Sequence, residues 1–161
     1  MQIRKAEYND YNRLMEIYSI AREFMSYTGN PHQWADLGYP YPDMITQDIQ
    51  RQELFVLTEN DIVEGVFFWK LGADPTYLDI DGQWLNNKPY GVIHRIAGSG
   101  RIKGVLKTAV EYCLQFTDNI KIDTHVDNVV MQSALNKLGF KYCGMVYLPH
   151  GVWMKAYQLS K

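Results

Sequence analysis

A strand, a glycine-rich turn, a helix and a second strand follow one another between Tyr90 and Thr124. The apolar run from Tyr90 to Ala97 predicts a buried strand, and Gly98-Ser99-Gly100 follows it directly. Apolar residues then recur at helical spacing from Ile102 to Leu114, before a second strand predicted over Ile120 to Thr124. Two strands joined through a helix pair in parallel with a right-handed crossover, so this unit requires a sheet covered by helices.

Predicted antiparallel hairpins flank this unit on both sides. Other predicted elements are strands at 3–6, 53–58, 62–71, 142–148 and 152–158, and helices from about Asn9, from Asp43 and over Asn128 to Leu138. Asn9 or Asp10 is expected to cap the first of these helices, and Asp43 the second. The sequence therefore predicts an α/β (α+β) chain with one mixed, twisted, mostly antiparallel sheet, a central parallel pair and helices on both faces.

Composition limits the functions open to this chain. At 161 residues we expect a single domain, 1–161. Lys and Arg number 16 against 18 Asp and Glu, a balance that argues against nucleic-acid partners. There is no apolar run of the ~20 residues that span a membrane and no signal-peptide pattern, and two cysteines fit a reducing compartment, so we expect a cytoplasmic protein. The four histidines lack metal-ligand spacing, so no metal is expected.

The turn between Gly98 and Gly104 is the strongest candidate for ligand binding. Unpaired amide N–H groups and the positive end of the helix dipole converge there, and Arg101 and Lys103 add positive charge. Such a turn suits a phosphate or pyrophosphate, although the same glycines can serve only a tight connection. The turn lacks the Gly-Lys-Ser/Thr of a Walker A loop and lies too late in the chain for a dinucleotide fold.

Two motifs resemble the GNAT superfamily of N-acetyltransferases. Arg101-Ile102-Lys103-Gly104 matches the Gln/Arg-x-x-Gly core of that family's coenzyme A loop. Asn128-Val129-Val130-Met131, with Gly139-Phe140 after it, has the spacing of the family's Asn-x-x-Ala…Gly-Phe segment. The predicted strand order is similar as well, and the resemblance covers nearly the whole chain.

The resemblance implies that this chain binds acetyl-CoA. In such enzymes the parallel strands splay apart, and the pantetheine lies in the gap against the backbone of the strand that here holds His94, Arg95 and Ile96. The pyrophosphate then rests on the loop amides, and Asn128 lies near the pantetheine. The loop residues implied for the cofactor are Arg101, Ile102, Lys103, Gly104, Val105 and Leu106. A small-molecule or peptide amine is the implied acceptor, and a homodimer is left open.

The sequence departs from the family pattern at three positions. Leu106 stands where the loop usually ends in glycine or alanine. Leu135 takes the place of the tyrosine that often protonates the leaving thiolate, and Tyr90 lies near the position of a glutamate base found in some members. The usual acid and base therefore have no direct counterpart here.

Other residues are candidates for the chemistry. His94 is the first choice as base, since its ordinary pKa of ~6.5 suits proton transfer near neutrality, and His125 and Tyr90 are further catalytic candidates. Each can instead be structural. The irregular stretch 27–43 is either a functional loop or a cover for the core. The expected substrate-binding residues are Trp34, Tyr39, Tyr41 and Glu64.

The leading hypothesis is an N-acetyltransferase that moves an acetyl group from acetyl-CoA to a primary amine by direct attack in a ternary complex. A non-catalytic acyl-CoA-binding or sensing module is the alternative, motivated by Leu135 and Tyr90. A third possibility is an interaction protein that retains the fold without the ligand. Turnover separates the first two, and coenzyme A binding separates both from the third.

Overall fold

Eight strands and four α-helices make up the fold in a computed structural model that describes residues 1–161. The strands are β1 (Gln2–Lys5), β2 (Leu54–Glu59), β3 (Ile62–Leu71), β4 (Asp81–Gly82), β5 (Gly91–Gly98), β6 (Asn119–His125), β7 (Lys141–Tyr147) and β8 (Trp153–Ser160). The helices are α1 (Tyr11–Tyr27), α2 (Pro42–Gln50), α3 (Val105–Cys113) and α4 (Val129–Lys137). None of the helices combines the length and the apolar character needed to cross a membrane.

All eight strands join one sheet in the order β1-β2-β3-β5-β6-β8-β7-β4. Only the central β5–β6 pair is parallel, and every other neighbouring pair is antiparallel. The predicted fold class is therefore confirmed: a mixed sheet with one parallel pair in the middle.

Helices cover the sheet on both faces because its inner strands are apolar on both sides. On β3, Val66 and Phe68 belong to one hydrophobic cluster, together with buried residues of α1 and α2. Phe67 and Trp69 alternate with them and belong to a second cluster, together with α3 and α4. The two faces of the sheet thus have separate hydrophobic cores.

The sheet opens where the parallel pair diverges. β5 and β6 are paired only at Gly91–Ile120 and Val92–Lys121, although both strands continue beyond these residues. Past that point one edge of β5 has no neighbouring strand. The splay that the resemblance implied is present at the middle of the sheet.

A β-bulge lies on β5 beside this opening. Phe68 of β3 is opposite His94 and Val66 is opposite Ala97, so two residues of β5, Arg95 and Ile96, face one residue of β3. Arg95 takes a positive φ of 48°, which is uncommon for a residue with a side chain. The bulge breaks the alternation of the strand, so that the consecutive side chains of His94 and Arg95 both lie on the α1/α2 face, against Phe68.

Several predicted boundaries differ from the structure. Asp43 does not cap α2, because the helix starts at Pro42 with Tyr41 as its N-cap residue. Asp10 precedes α1 but makes no cap bond; its carboxylate accepts instead from the Glu7 N–H and binds Arg4. Two connections also differ: α3 begins at Val105 rather than Ile102, and the loop predicted at 79–87 contains strand β4.

Candidate active site

A cavity of about 580 Å³ lies at the opening between β5 and β6. Its wall includes Val92, His94 and Arg95 of β5 and Ile122 and Asp123 of β6. It also includes aromatic side chains of the 27–43 loop and residues of the 148–150 turn. Because Ile122 belongs to the α3/α4 core while Asp123 lies on the other face, the cavity is continuous across the sheet.

His94 lies at the floor of this cavity between two carboxylates. Its Nε2 is 2.8 Å from Oδ2 of Asp74, and its Nδ1 is 4.0 Å from Oδ2 of Asp123. The Tyr77 hydroxyl donates to the same Asp123 oxygen at 2.6 Å. Two further hydrogen bonds hold Asp74 in place. Its Oδ1 accepts from the Thr76 N–H, and its backbone N–H donates to the hydroxyl of Tyr90.

Burial and hydrogen bonding shift the two carboxyl groups in opposite directions. For Asp74, the effect of burial is outweighed by the hydrogen bond and charge of His94 and by bonds from Thr76, so its pKa is lowered. For Asp123, burial dominates and raises the pKa, although His94 and the Tyr77 hydroxyl oppose it. The adjacent Tyr77 phenol has its pKa raised by burial and by the negative charge of Asp123. Titratable groups perturbed in this way inside a cleft are typical of functional sites.

Arg95 forms a second charged group in the cavity wall. Its Nε and Nη2 donate to the two carboxylate oxygens of Asp48, at 2.8 and 3.1 Å, and Nη1 donates to the hydroxyl of Tyr39 at 3.1 Å. The Arg95 carbonyl accepts from the hydroxyl of Tyr18 at 2.9 Å. These bonds hold the bulge against α1, α2 and the 27–43 loop.

The glycine-rich loop lies between β5 and α3. Gly104 is the N-cap residue of α3 with φ 80°, and no atom lies within 4 Å of the place where a Cβ would stand. Its neighbours Arg101 and Lys103 are exposed, and the backbone before Val105 faces open space. The loop therefore presents helix-start amides and two cations to solvent.

Glu64 ties this loop to the body of the protein. Its buried carboxylate binds Nη2 of Arg13 at 2.7 Å through Oε1 and accepts from the Ser99 hydroxyl at 3.3 Å through Oε2. Nε of Arg101 is 3.5 Å from the same Oε2. Although it was expected to bind the acceptor, Glu64 lies outside the cavity, below the loop.

Two polar side chains of the cavity wall lie near the opening of the sheet. The Asn128 side chain caps α4 by accepting from the Met131 N–H, and its amide donates to Gln33 of the 27–43 loop. Thr124 at the end of β6 is fully buried, and its hydroxyl has no hydrogen-bond partner in the protein. A buried unpaired hydroxyl is costly, so this atom is suited to a ligand group that enters the opening.

The structure brings together some of the predicted site residues and separates others. The cavity is lined by the predicted residues His94, Arg95, Ile96, Asn128, Trp34, Tyr39 and Tyr41. The predicted residues of 101–106 form the loop and the start of α3. His125 and Tyr90 lie outside the cavity.

The environments of His125 and Tyr90 explain their separation from the cavity. Nδ1 of His125 accepts from the Asp127 N–H, and burial lowers the pKa of this imidazole. The ring of Tyr90 is 3.9 Å from Nζ of Lys121, and its hydroxyl binds the Asp74 backbone. Tyr90 thus contacts the site from outside the cavity, through the backbone of Asp74 and of Gly72.

Solved structures similar to this one share its fold over almost its entire length. A GNAT-family acetyltransferase from Streptococcus agalactiae 2603 superposes with a TM-score of 0.87 at 34% sequence identity, covering 99% of this chain and 95% of that one. The chain belongs to the GNAT family of acetyltransferases. It is accordingly an acyltransferase, and the resemblance seen in its two motifs is confirmed.

More distant GNAT structures match in fold. A GNAT-family acetyltransferase from Listeria monocytogenes 4b F2365 gives a TM-score of 0.71 at 19% identity, covering 99% of this chain and 94% of that one. The NatC complex bound to Gag peptide and CoA contains a chain with a TM-score of 0.62 at 18% identity, covering 100% and 99%. Neither the family models nor the curated proteins compared with the sequence match it.

Sequence reasoning missed several polar residues of this GNAT site. Asp74, Tyr77, Asp48 and Asp123 were not among the predicted site residues. Asp74 follows β3 in the turn Gly72-Ala73-Asp74-Pro75, a composition typical of any loop. Only the three-dimensional arrangement brings it to His94, 20 residues further along the chain.

Proposed function

We propose that this chain is an N-acetyltransferase that transfers an acetyl group from acetyl-CoA to a primary amine by direct attack in a ternary complex. One observation supports the proposal above the others: a single cavity joins the acidic floor around His94 to the opening between β5 and β6. Both substrates can therefore meet at the sheet without a covalent enzyme intermediate. Holding them together contributes several kcal/mol toward the barrier.

The residues present fit coenzyme A. The exposed helix-start amides near Gly104, with Arg101 and Lys103, suit the pyrophosphate. The unpaired edge of β5 beyond Val92 suits the amide groups of pantetheine, and the unpartnered hydroxyl of Thr124 faces the same opening. Glu64 orients the loop through Ser99. When bound, acetyl-CoA supplies the acetyl group as a thioester, whose C–S bond breaks as the amine nitrogen forms the new amide bond.

His94 is the proposed base. An ionised carboxylate only accepts hydrogen bonds, so Asp74 fixes the proton of the neutral imidazole on Nε2 and leaves the lone pair on Nδ1. Nδ1 faces Asp123 across 4.0 Å. An ammonium group held by Asp123 can therefore lose its proton to Nδ1, and Asp74 stabilises the imidazolium that results.

The other predicted catalytic residues have different proposed roles. Tyr90 positions Asp74 through its hydroxyl and does not reach the reacting atoms. His125 is structural, since Nδ1 binds the Asp127 N–H. Free backbone N–H groups of β5 beyond Val92 stabilise the developing oxyanion. Leu135 is fully buried in the core, so the position of the family's tyrosine supplies no acid here and the released thiolate is protonated from solvent.

Thiol release from acetyl-CoA in the presence of a panel of primary amines tests the proposal. We expect amine-dependent turnover, and we expect coenzyme A to raise the melting temperature while NAD and ATP raise it much less. Coenzyme A binding with no turnover for any amine would instead favour the acyl-CoA-binding module. Equal stabilisation by all three nucleotides would contradict both.

A further inference from the structure

We propose that the acceptor is a primary amine with no carboxylate close to its amino group, and that free α-amino acids are rejected. Arylalkylamines and amines whose neighbouring carboxyl is blocked as an amide belong to the accepted class. This inference rests on the proposed function and identifies the substrate class of the same cavity. It follows from which charges in the cavity wall are paired and which are free.

Negative charge is available at the cavity floor. Asp123 is largely buried, and only one of its carboxylate oxygens, Oδ2, is engaged, by the hydroxyl of Tyr77. The other oxygen, Oδ1, has no hydrogen-bond donor within the protein, and Asp123 lines the cavity. Asp74 adds a second carboxylate on the other side of His94. The floor therefore provides an unpaired acceptor and negative charge for an ammonium group.

Positive charge in the cavity wall is already paired. Arg95 donates three of its five N–H groups, through Nε and Nη2 to Asp48 and through Nη1 to Tyr39, and the Asp48 carboxylate already balances its charge. Its side chain is only 10% exposed. Lys70 is 56% exposed, at the outer part of the wall, and its Nζ lies 4.0 Å from Glu53. Neither the arginine nor the lysine of the wall is free beside His94, and the remaining basic group in the wall is the imidazole of His150.

An α-amino acid places its carboxylate two bonds from the nitrogen. When the amino group lies at Asp123 and His94, the substrate carboxylate must lie close to the negative charges of Asp74 and Asp123. No arginine or lysine side chain is free there to neutralise it. Like charges placed together in a partly buried site carry a large penalty, which is a common source of substrate discrimination. Removing the carboxylate, or converting it to an amide, removes the repulsion.

The upper wall favours an apolar or aromatic substituent on the amine. Trp34, Tyr39 and Phe68 line it, and Tyr39 stacks on the His150 ring with centroids 6.3 Å apart. The faces of these aromatic rings supply apolar contact for a substituent on the amine. An arylalkylamine thus matches both parts of the cavity, with its ammonium at the floor and its ring against the wall.

Three compounds with the same side chain test the inference: tyramine, tyrosine and tyrosine amide. Tyramine and tyrosine differ by one carboxylate, while the amide retains the size of that group without its charge. The three amines differ in basicity, so kcat/KM is compared at equal concentrations of the free amine. We expect kcat/KM for tyramine and for tyrosine amide to exceed that for tyrosine by roughly 10-fold to 100-fold. Calorimetry with coenzyme A present should show the same order of binding, independently of turnover.

The Asp123→Asn variant sharpens the test, with Asp127→Asn as a matched control outside the cavity. Asp123→Asn should narrow the preference for tyramine over tyrosine several-fold, and Asp127→Asn should leave it unchanged. Equal kcat/KM for tyrosine and tyramine would overturn the inference. A kcat/KM for tyrosine amide as low as that for tyrosine would overturn it too, because the size of the group and not its charge would then cause the rejection. If the parent protein prefers tyrosine and the Lys70→Gln variant does not, the inference is also overturned, because Lys70 then binds the substrate carboxylate.

The two proposals fail in different ways. If coenzyme A binds and no amine supports thiol release, the proposed function fails, yet the binding order of tyramine and tyrosine still decides the inference. If turnover occurs with tyrosine at the rate of tyramine, the function stands and the substrate class is wrong.

Discussion

The two ends of the site are built from different parts of the chain. At the acceptor end, the chemistry depends on partly buried side chains, namely His94 between Asp74 and Asp123, with Arg95 paired to Asp48. At the loop end, it depends on backbone, since Gly104 and the first amides of α3 lie exposed and open. Side-chain chemistry is sensitive to the identity of each residue, whereas a backbone site is sensitive to conformation. The two ends should therefore respond to different mutations and affect different substrates.

Removal of the imidazole at His94 should have the largest effect. We expect His94→Gln to lower kcat by roughly 10²–10⁴-fold, the usual range for a general base, while coenzyme A affinity changes little. His125→Gln is the control, because His125 is likewise a histidine with an aspartate neighbour but lies outside the cavity. Steady-state kinetics on both variants checks this, and a larger loss in His125→Gln would reverse the assignment of the base.

The loop end should respond to a change of backbone conformation. Gly104→Ala strains a residue with φ 80°, and we expect it to weaken coenzyme A binding about tenfold while kcat at saturation is retained. Gly139→Ala is the control: it introduces a comparable strain at φ 93° at the end of α4, away from the loop. Calorimetry with coenzyme A distinguishes the two, and equal losses in both would mean that general destabilisation is responsible.

The two floor carboxylates should affect stability in opposite directions. Burial raises the pKa of Asp123 in the folded state, so its favourable contribution is present at low pH and is lost as pH rises through that raised value. Asp123→Asn should therefore raise the free energy of unfolding, and with it Tm, at neutral pH.

Asp74 provides the opposite case. Despite its burial, the bonds from His94 and Thr76 lower its pKa, so its contribution is present at neutral pH and is lost as pH falls through the lowered value. Asp74→Asn should lower Tm at neutral pH. Thermal unfolding of both variants at neutral and acid pH checks the pair. Shifts of the same sign at neutral pH would show that the two acids do not differ as described.

The sequence allowed prediction of the fold and the loop because their signals are local. Helical periodicity predicted α3 and α4, and the glycines between β5 and α3 lie within one short segment. Strand β4 was missed because it has only two residues and depends on pairing with Gly144 and Met145 of β7. No local pattern distinguishes such a strand from a loop.

The acceptor end was only partly predictable because it is assembled from distant segments. His94 was expected from its residue type, but Asp74 and Asp48 reach the site through tertiary packing. The bulge at Arg95 also conflicts with the alternation on which strand prediction relies, since it turns two consecutive side chains to one face. Glu64 shows why a residue type alone does not give a position: a carboxylate on an apolar strand suggested substrate binding, and in the structure it lies outside the cavity, bound to Arg13 and Ser99.

The most direct test of a two-ended site is to measure two constants in two variants: the coenzyme A dissociation constant by calorimetry and kcat/KM for the amine at saturating acetyl-CoA. Asp123→Asn should lower kcat/KM for the amine by at least about tenfold and leave coenzyme A affinity within about twofold of the parent. Gly104→Ala should do the reverse. If each variant lowers both constants to the same extent, the cavity does not have separable ends, and the assignment of Asp123 and His94 to the amine is contradicted.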